Sequence, residues 1–249
     1  MNITGDTILI TGGGTGIGRA LAEALHARGA QIIITGRRED VLKDTVAANP
    51  GMAWATLDVA DPAAVAAFGA QIVRDHPALN VVILNAGIMK VEDLKARPFD
   101  FETVEATIAT NLLGPIRLTA ALLPHLQAQP AATIMTVTSG LAFIPLAATP
   151  TYNATKAAIH SWTQSLRHQL RDTAIEVLEL APPGVATDLM PGHAQNPNSM
   201  PLADYTAEVI GLIERGDTPR GEILVERVKP LRFAEANGYA AVFEMLNGK

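Results

Sequence analysis

The sequence has no cysteine, no excess of basic residues and no long uninterrupted apolar run. The absence of cysteine excludes disulfides, thiolate nucleophiles and cysteine-ligated metal sites. A net charge of −6 leaves no basic stripe to neutralise phosphates, which argues against nucleic acid as a partner. No run of about 18 apolar residues predicts a membrane span, and the first residues lack the charged and apolar regions of a signal peptide. We therefore expect a cytoplasmic protein with no nucleic-acid or membrane partner.

The apolar residues follow a pattern that predicts an α/β protein. The chain has 249 residues, of which 48% are hydrophobic, enough to bury one large core. Short β-branched runs alternate with longer helical segments, as in a doubly wound parallel sheet with helices on both faces. We predict one domain over residues 1–249, with about seven strands near residues 7–11, 31–35, 53–57, 81–84, 133–138, 176–180 and 222–225.

A glycine-rich turn lies between the first predicted strand and the first predicted helix. Gly12 and Gly16 permit a tight turn and close backbone approach to a ligand, and Gly18 permits close packing of helix on strand. The helix would direct its positive dipole end at a phosphate. Arg19 and Ala20 stand where a Walker A motif needs Lys and then Ser or Thr. The turn therefore predicts binding of a dinucleotide pyrophosphate.

Tyr152 and Lys156 lie four residues apart at the start of a predicted helix, and Ser139 follows the strand at 133–138. The spacing places the phenol and the ammonium on one face of the helix. A unit charge about 4 Å away, at an effective dielectric near ~20, would lower a phenol pKa by about three units from its ordinary value near ~10. Tyr152 could then act as an acid or base. Taken alone, such a pair is usually an ordinary surface pair.

Two further motifs are the Asn-Ala-Gly triplet at 85–87, which ends the fourth predicted strand, and Asn111, which lies in a long helical segment. With these, the chain resembles the short-chain dehydrogenase/reductase family from residue 7 to about residue 228. The resemblance depends on motifs in the family's order and spacing: the glycine loop at 11–18, the triplet at 85–87, and the tetrad of Asn111, Ser139, Tyr152 and Lys156.

The resemblance implies a Rossmann-like fold, with a dinucleotide-binding half at about 1–130 and a catalytic and substrate-binding half at about 131–249. It also implies hydride transfer between a nicotinamide and a carbonyl or alcohol. Tyr152 would give the proton and Ser139 would hydrogen-bond the same oxygen. Lys156 would bind the nicotinamide ribose, and Asn111 would hold a water. Taken alone, Ser139 is more typical of a Ser-Gly turn, and Asn111 equally typical of a helix kink before a Gly-Pro pair.

Residues 182–201 form a polar, proline-rich segment after the sixth strand, where α/β folds bind ligands. They predict either a mobile substrate lid or a plain surface loop. Pro183 stands where the family usually has glycine, which stiffens the backbone. With the Thr-Gly-Arg-Arg-Glu stretch at 35–39, this double proline resembles the DltE-like oxidoreductase branch. The residues predicted to bind the cofactor are Gly12, Thr15, Gly16, Ile17, Gly18, Arg37, Arg38, Asp58, Val59, Asn85, Ala86, Gly87, Tyr152, Lys156, Pro182, Val185 and Thr187.

The end of the second strand indicates which cofactor is used. NAD-binding folds usually place Asp or Glu there, on the ribose 2′-hydroxyl, whereas this chain has Thr-Gly-Arg-Arg at 35–38. Arg37 and Arg38 suit bidentate recognition of a 2′-phosphate. Alternatively, both are solvated charges at a helix start, where the dipole disfavours them. We expect NADP(H) to be preferred over NAD(H). Asp58 matches the family residue beside the adenine, although it could also be an N-cap-like acid.

Three functions remain open. The first is an NADP(H)-dependent carbonyl reductase or alcohol dehydrogenase. The second is a carrier-protein-bound 3-oxoacyl reductase, which needs a basic patch that only Lys90 and Lys95 could supply. The third is a non-catalytic NADP(H)-binding redox sensor, against which the intact tetrad counts. The histidines show no metal-ligand spacing, so we expect no metal. A hydrophobic small-molecule ketone or aldehyde is predicted by apolar residues in the loops near the nicotinamide: Ile88, Met89, Leu141, Phe143, Ile144, Leu146 and Met190.

Two apolar segments predict self-association. Residues 101–126 form a predicted long helix with apolar residues on more than one face, which one sheet cannot cover. Related enzymes pair subunits through this helix and the helix of Tyr152, so we expect a homodimer or homotetramer. The apolar tail at 230–246 could cover the pocket, cover a neighbouring subunit or fold back on its own core.

Overall fold

A computed structural model describes residues 3–248 except the side chain of His193. Its centre is a seven-stranded parallel sheet in the order β3-β2-β1-β4-β5-β6-β7. This confirms the predicted fold class, and each predicted strand is present with shifts of at most two residues at its ends. The strands are β1 (Thr7–Thr11), β2 (Gln31–Gly36), β3 (Ala53–Thr56), β4 (Leu79–Leu84), β5 (Ala132–Val137), β6 (Ile175–Leu180) and β7 (Glu222–Ile223).

Helices cover both faces of the sheet, because alternate strand residues enter two separate apolar cores. Ile8 and Ile10 of β1 belong to one core and Leu9 belongs to the other. Side chains of α1 (Gly16–His26) and α7 (Leu202–Arg215) fill the first core, and side chains of α3 (Pro62–Asp75) and α5 (Gly114–Gln127) fill the second. The helices are α1 (Gly16–His26), α2 (Glu39–Ala48), α3 (Pro62–Asp75), α4 (Phe101–Ile108), α5 (Gly114–Gln127), α6 (Pro150–Gln169), α7 (Leu202–Arg215), α8 (Lys229–Arg232), α9 (Ala234–Asn237) and α10 (Tyr239–Asn247).

The predicted long helix at 101–126 is a continuous helical segment with a π-helical turn, Ala109–Leu113, between α4 and α5. By length and composition alone, Phe101–Gln127 could cross a membrane, whereas the sequence predicted no span because it has no run of about 18 apolar residues. In the fold, α5 packs against α3, β4 and β5, and Leu118, Leu122 and Leu126 are fully buried. The core helix of a soluble protein passes the same test of length and composition.

The tail packs against its own chain, which answers part of the question that the sequence left open. Ala234 is buried, and Leu231 lies so close to Gly140 that a side chain at residue 140 would collide with it. The Asn247 side chain accepts a hydrogen bond from the Ala147 amide at 2.6 Å and donates one to the Pro145 carbonyl at 3.0 Å. The tail therefore holds the loop between β5 and α6.

The order of the strands sets where a ligand can bind. The chain runs outward from β1 to β3 on one side and from β4 to β7 on the other, so the topological switch point lies between β1 and β4. Ligands of open α/β sheets bind at the carboxyl ends of the strands at such a point. The segments there are the glycine loop after β1 and the Asn-Ala-Gly triplet after β4.

Candidate active site

The glycine loop has the backbone that its sequence predicts. Gly12 adopts a φ of +67°, which favours glycine, and a side chain at Gly18 would collide with the Gly12 carbonyl oxygen. Asn85 supports the loop, because its side-chain amide donates to the Thr11 carbonyl at 2.9 Å. The Thr11 hydroxyl in turn accepts from the amides of Asn85 and Ala86, both at 3.0 Å. These hydrogen bonds join the two segments at the switch point.

A cleft opens above this junction, and it collects many of the residues predicted to bind a cofactor. Gly12, Thr15, Arg37, Arg38, Asp58, Val59, Ala86 and Gly87 line it. Gly14 of the glycine loop, Thr35 and Gly36 of the stretch before the arginines, and Ile88, which the sequence placed near the nicotinamide, also line it. The sequence did not predict four further lining residues, because only the fold brings them beside the motifs: Val41, Leu42, Leu57 and Thr110.

The remaining predicted cofactor residues lie around the cleft. Gly16, Ile17 and Gly18 form the start of α1. The Thr187 side chain lies across from the glycine loop, where a Cβ on Gly16 would be 3.5 Å from its methyl carbon. The Pro182 carbonyl accepts a hydrogen bond from the Gly140 amide at 2.8 Å.

The two ends of the predicted lid at 182–201 are hydrogen-bonded to each other. Val185 pairs with Met200 in a parallel β-bridge. The Ala186 amide donates to the Met200 carbonyl at 2.9 Å, and the Met200 amide donates to the Gly184 carbonyl at 2.8 Å. A short 3-10 helix, His193–Gln195, lies between these ends. The two ends of the segment are thus fixed to each other, and movement of its centre stays a prediction.

The two arginines after β2 line the cleft, although both are exposed. Arg38 precedes α2, and its guanidinium donates to the Thr15 hydroxyl of the glycine loop at 3.4 Å. Beside them, the Thr35 hydroxyl is buried and has no hydrogen-bond partner among the residues that the structure describes. One end of the cleft therefore combines two cations with an unsatisfied polar atom.

Beside Gly87, which lines the cleft, the structure brings the predicted tetrad together near the carboxyl end of β5, although none of the four residues lines the cleft itself. Asn111, Ser139, Tyr152 and Lys156 are all buried, with exposures between 2% and 7%. Ser139 caps a short 3-10 helix, Gly140–Ala142, by accepting a hydrogen bond from the Leu141 amide at 3.1 Å. Ser139 therefore forms a Ser-Gly turn and also lies in the site.

The predicted effect of Lys156 on the Tyr152 phenol was wrong. Burial raises the pKa of Tyr152 to about 12, while the Ser139 hydroxyl acts to lower it. Lys156 does not counter this burial: its Nζ donates to the Val137 carbonyl at 2.8 Å and lies 5.6 Å from the Tyr152 ring centroid. Burial also lowers the pKa of Lys156 to about 8. The i,i+4 spacing fixes only which helix face the two side chains share. Their pKa values depend on burial, and the position of the ammonium depends on the Val137 carbonyl that it binds.

Asn111 lies in the π-helical turn, so it belongs to an irregular part of the helix and also lies in the site. Its side-chain oxygen accepts from the Ile88 amide at 2.9 Å, and its nitrogen donates to the Ile88 carbonyl at 2.8 Å. Gly87 lies beside this bond pair, and a Cβ there would be 3.3 Å from the Asn111 oxygen and 3.7 Å from Lys156 Nζ. The 86–88 turn thus connects the cleft with the tetrad, and the water assigned to Asn111 stays a prediction.

Two residues that the sequence placed at the substrate pocket face the protein interior instead. Ile144 is fully buried. The Phe143 ring packs edge-on against His160, with centroids 4.7 Å apart, and under the Arg232 guanidinium at 4.6 Å. The expectation that these two residues line the pocket was therefore wrong, because His160 and Arg232 cover the Phe143 ring and Ile144 has no exposed surface.

The fold also gathers three groups of the kind that bind metals, which sequence spacing did not reveal. Side-chain ligand atoms of His160, Glu179 and Glu222 lie within 4.8 Å of one another. They come from α6, β6 and β7, so their separations along the chain show no ligand pattern. The expectation of no metal stays a prediction.

Comparison with known proteins agrees with this geometry. The profile of the family described as short chain dehydrogenase matches residues 6–198. The chain belongs to the short chain dehydrogenase family. It is 40% identical over 251 residues to the uncharacterized oxidoreductase DltE of Bacillus subtilis, covering 99% of this chain and 98% of that protein. This short chain dehydrogenase is accordingly an oxidoreductase by family.

Two solved structures share the fold. A short chain dehydrogenase from Burkholderia cenocepacia in complex with NADP superposes with a TM-score of 0.84 at 24% identity, over 99% of both chains. A short chain dehydrogenase/reductase from Burkholderia phymatum in complex with NAD superposes with a TM-score of 0.81 at 21% identity, over 100% of this chain and 97% of that one. At these identities the two show the fold of this short chain dehydrogenase.

Proposed function

We propose that the protein is an NADP(H)-dependent oxidoreductase that interconverts a hydrophobic ketone or aldehyde and its alcohol. The observation that carries the proposal is the buried cluster of Ser139, Tyr152 and Lys156 beside a cleft that begins at a glycine loop. A bound nicotinamide would supply or accept the hydride. The protein must then bind the cofactor, hold the substrate oxygen and move one proton.

The charges within the cluster support a proton donor. With a pKa of about 12, Tyr152 carries its proton at neutral pH and can donate it to an oxygen that gains negative charge. The Ser139 hydroxyl is the neighbouring group that lowers the pKa of this phenol, so it favours the phenolate left behind. With a pKa of about 8, Lys156 is mostly protonated at neutral pH, and its ammonium lies 5.6 Å from the centre of the Tyr152 ring.

The cleft residues support a dinucleotide that carries an additional phosphate. A guanidinium binds phosphate oxygens well, and both Arg37 and Arg38 line the end of the cleft after β2. The solved relatives contain NADP in one case and NAD in the other, so the preference for NADP(H) depends on this chain's own residues.

The two alternative functions have less support. Lys90, needed for an acidic carrier protein, donates instead to the Thr103 hydroxyl at 3.3 Å. Glu92 lies between the two lysines in sequence and accepts from the Thr151 hydroxyl at 2.7 Å, so this rim is mixed in charge. A redox sensor would not need the proton donor that the tetrad retains.

A homo-oligomer fits the exposed apolar residues of the long helix. Phe101 is 65% exposed, and Ile108 and Leu113 are 36% and 37% exposed. Apolar residues grouped on one helical segment favour burial against a second copy of this chain.

The function can be tested by screening ketones, aldehydes and alcohols of increasing chain length with NADPH and NADH, following nicotinamide absorbance. We expect turnover that is greatest for hydrophobic carbonyls with NADPH and that falls sharply in Tyr152→Phe, which keeps the ring but loses the proton. Equal turnover in the wild type and Tyr152→Phe would refute the assignment. Cofactor binding without turnover of any compound in the panel would favour the redox sensor.

A further inference from the structure

Glu179 is a fully buried carboxylate near the carboxyl end of β6, between Leu178 and Leu180. A carboxylate in an apolar strand is unfavourable unless hydrogen bonds and nearby cations compensate for its lost hydration. Here the Thr138 hydroxyl donates to its Oε1 at 2.8 Å, and His160 Nδ1 lies 2.9 Å from both carboxylate oxygens. The carboxylate therefore bridges the residue before Ser139 and the helix that carries Tyr152 and Lys156.

Both partners of Glu179 are next to the proposed catalytic residues. Thr138 directly precedes Ser139, and its amide also donates to the Leu180 carbonyl at 2.8 Å. His160 follows Lys156 by four residues and Tyr152 by eight, so all three lie on one face of α6. The bridge runs from β5 through Glu179 to α6, parallel to the direct hydrogen bond from Lys156 to the Val137 carbonyl.

The alternative use of this cluster is a metal site formed with Glu222. The Arg232 guanidinium, however, donates to both oxygens of Glu222 at 2.8 Å, and it also stacks on Phe143. The Glu179 carboxylate is already hydrogen-bonded to Thr138 and His160. Because a protein cation and protein donors occupy these carboxylate oxygens, the cluster is better explained as an internal hydrogen-bond network.

We propose that Glu179 is a positioning residue, whose carboxylate, through Thr138 and His160, sets the placement of Ser139 relative to Tyr152. The inference rests on the proposed function, in which both hydroxyls must reach one substrate oxygen. A displacement of a fraction of an ångström in such a pair lowers turnover more than it lowers ligand affinity. The network thus acts on kcat through geometry, without touching substrate or cofactor.

The end of β5 offers a matched pair of threonines for the test. Thr136 lies in β5, Thr138 follows the strand's last residue, and each is 1% exposed. The Thr136 hydroxyl hydrogen-bonds the Thr163 hydroxyl of α6 at 2.9 Å, so it also joins strand to helix, but away from Glu179. Thr138→Val and Thr136→Val therefore make the same chemical change at similar burial, and only the first removes a Glu179 partner.

We expect Thr138→Val to lower kcat about ten-fold, with KM and the NADPH dissociation constant changed less than about two-fold. Thr138→Ser, which retains the hydroxyl, should restore most of the turnover. Thr136→Val should lose comparable stability in urea but keep its kcat. Equal kcat losses in the two valine variants, or no loss in Thr138→Val, would overturn the proposal.

Hydrogen exchange gives a second reading that does not depend on activity. Amides of residues 138–141 should exchange faster in Thr138→Val and in Glu179→Leu than in Thr136→Val, because the serine turn loses its support. If the wild type reduces no carbonyl at all, the proposed function fails, while the exchange comparison still decides whether Glu179 holds this turn. Equal exchange in all variants would show that it does not.

Discussion

The burial of Lys156 should make the stability of the protein depend on pH in a way that one substitution removes. Burial lowers its pKa from 10.5 in the unfolded chain to about 8 in the fold. Below pH 8 both states hold the proton, so the unfavourable burial of the charge is fully present. Between pH 8 and pH 10.5 the unfolded state binds more protons than the fold, so the free energy of unfolding rises with pH.

The size of the effect follows from the pKa difference. Each pKa unit corresponds to about 1.4 kcal/mol, so the lysine should account for a rise of about 3 kcal/mol across this range. Tyr152 acts in the opposite direction: its pKa is raised from 10.0 to about 12, so stability is lost above pH 10 as the unfolded phenol ionises. The tyrosine is present in both proteins compared below, and its contribution therefore cancels in their difference.

The test compares urea unfolding of the wild type and Lys156→Met at several pH values from neutral to alkaline. Lys156→Met keeps a similar apolar stem but has no charge, and it loses the hydrogen bond to Val137, which should cost about 1–3 kcal/mol at every pH. We expect the wild type to gain about 3 kcal/mol relative to the variant as the pH rises. Lys95→Met, which changes an exposed lysine, controls for the loss of one positive charge. Parallel curves for the wild type and Lys156→Met would refute the reasoning.

Three further predictions concern chemistry, cofactor and assembly. Tyr152→Phe should lower kcat at least ~100-fold in steady-state assays with nearly unchanged cofactor binding, because only the proton is lost; near-normal turnover would contradict this role. Arg37→Ala should weaken NADPH binding, measured by fluorescence titration, by about 1.5–3 kcal/mol and leave NADH binding little changed, whereas equal losses would show that Arg37 does not bind the phosphate. Light scattering at micromolar concentration should give at least twice 26.3 kDa, and a monomer mass would exclude the expected oligomer.

Several features of the site could be predicted from the sequence because they depend on local backbone rules. The turn at Gly12 needs a positive φ, and its place between an apolar strand and a helix identifies it without any tertiary contact. The spacing of Tyr152 and Lys156 likewise fixes their common helix face. The direction of the Tyr152 pKa could not be read in this way, because it depends on burial by residues distant in the chain.

Contacts between distant segments were also beyond the sequence. Phe143 and Ile144 looked like pocket residues, but Arg232 of the tail and His160 of α6 cover the first, and the second is fully buried. The hydrogen bonds from Thr138 through Glu179 to His160 join the end of β5, β6 and α6. The spacing of these residues along the chain does not predict the bonds.

The sequence by itself determined the alternation of strands and helices, the glycine turn and the order of the family motifs, since these follow from periodicity, φ preferences and spacing along the chain. Only the tertiary structure decided which ionisable groups are buried, which carbonyl Lys156 hydrogen-bonds and how Glu179 is compensated. The physical reason is that hydration and charge interactions depend on distances in space, and these become fixed only when the strands and helices pack together.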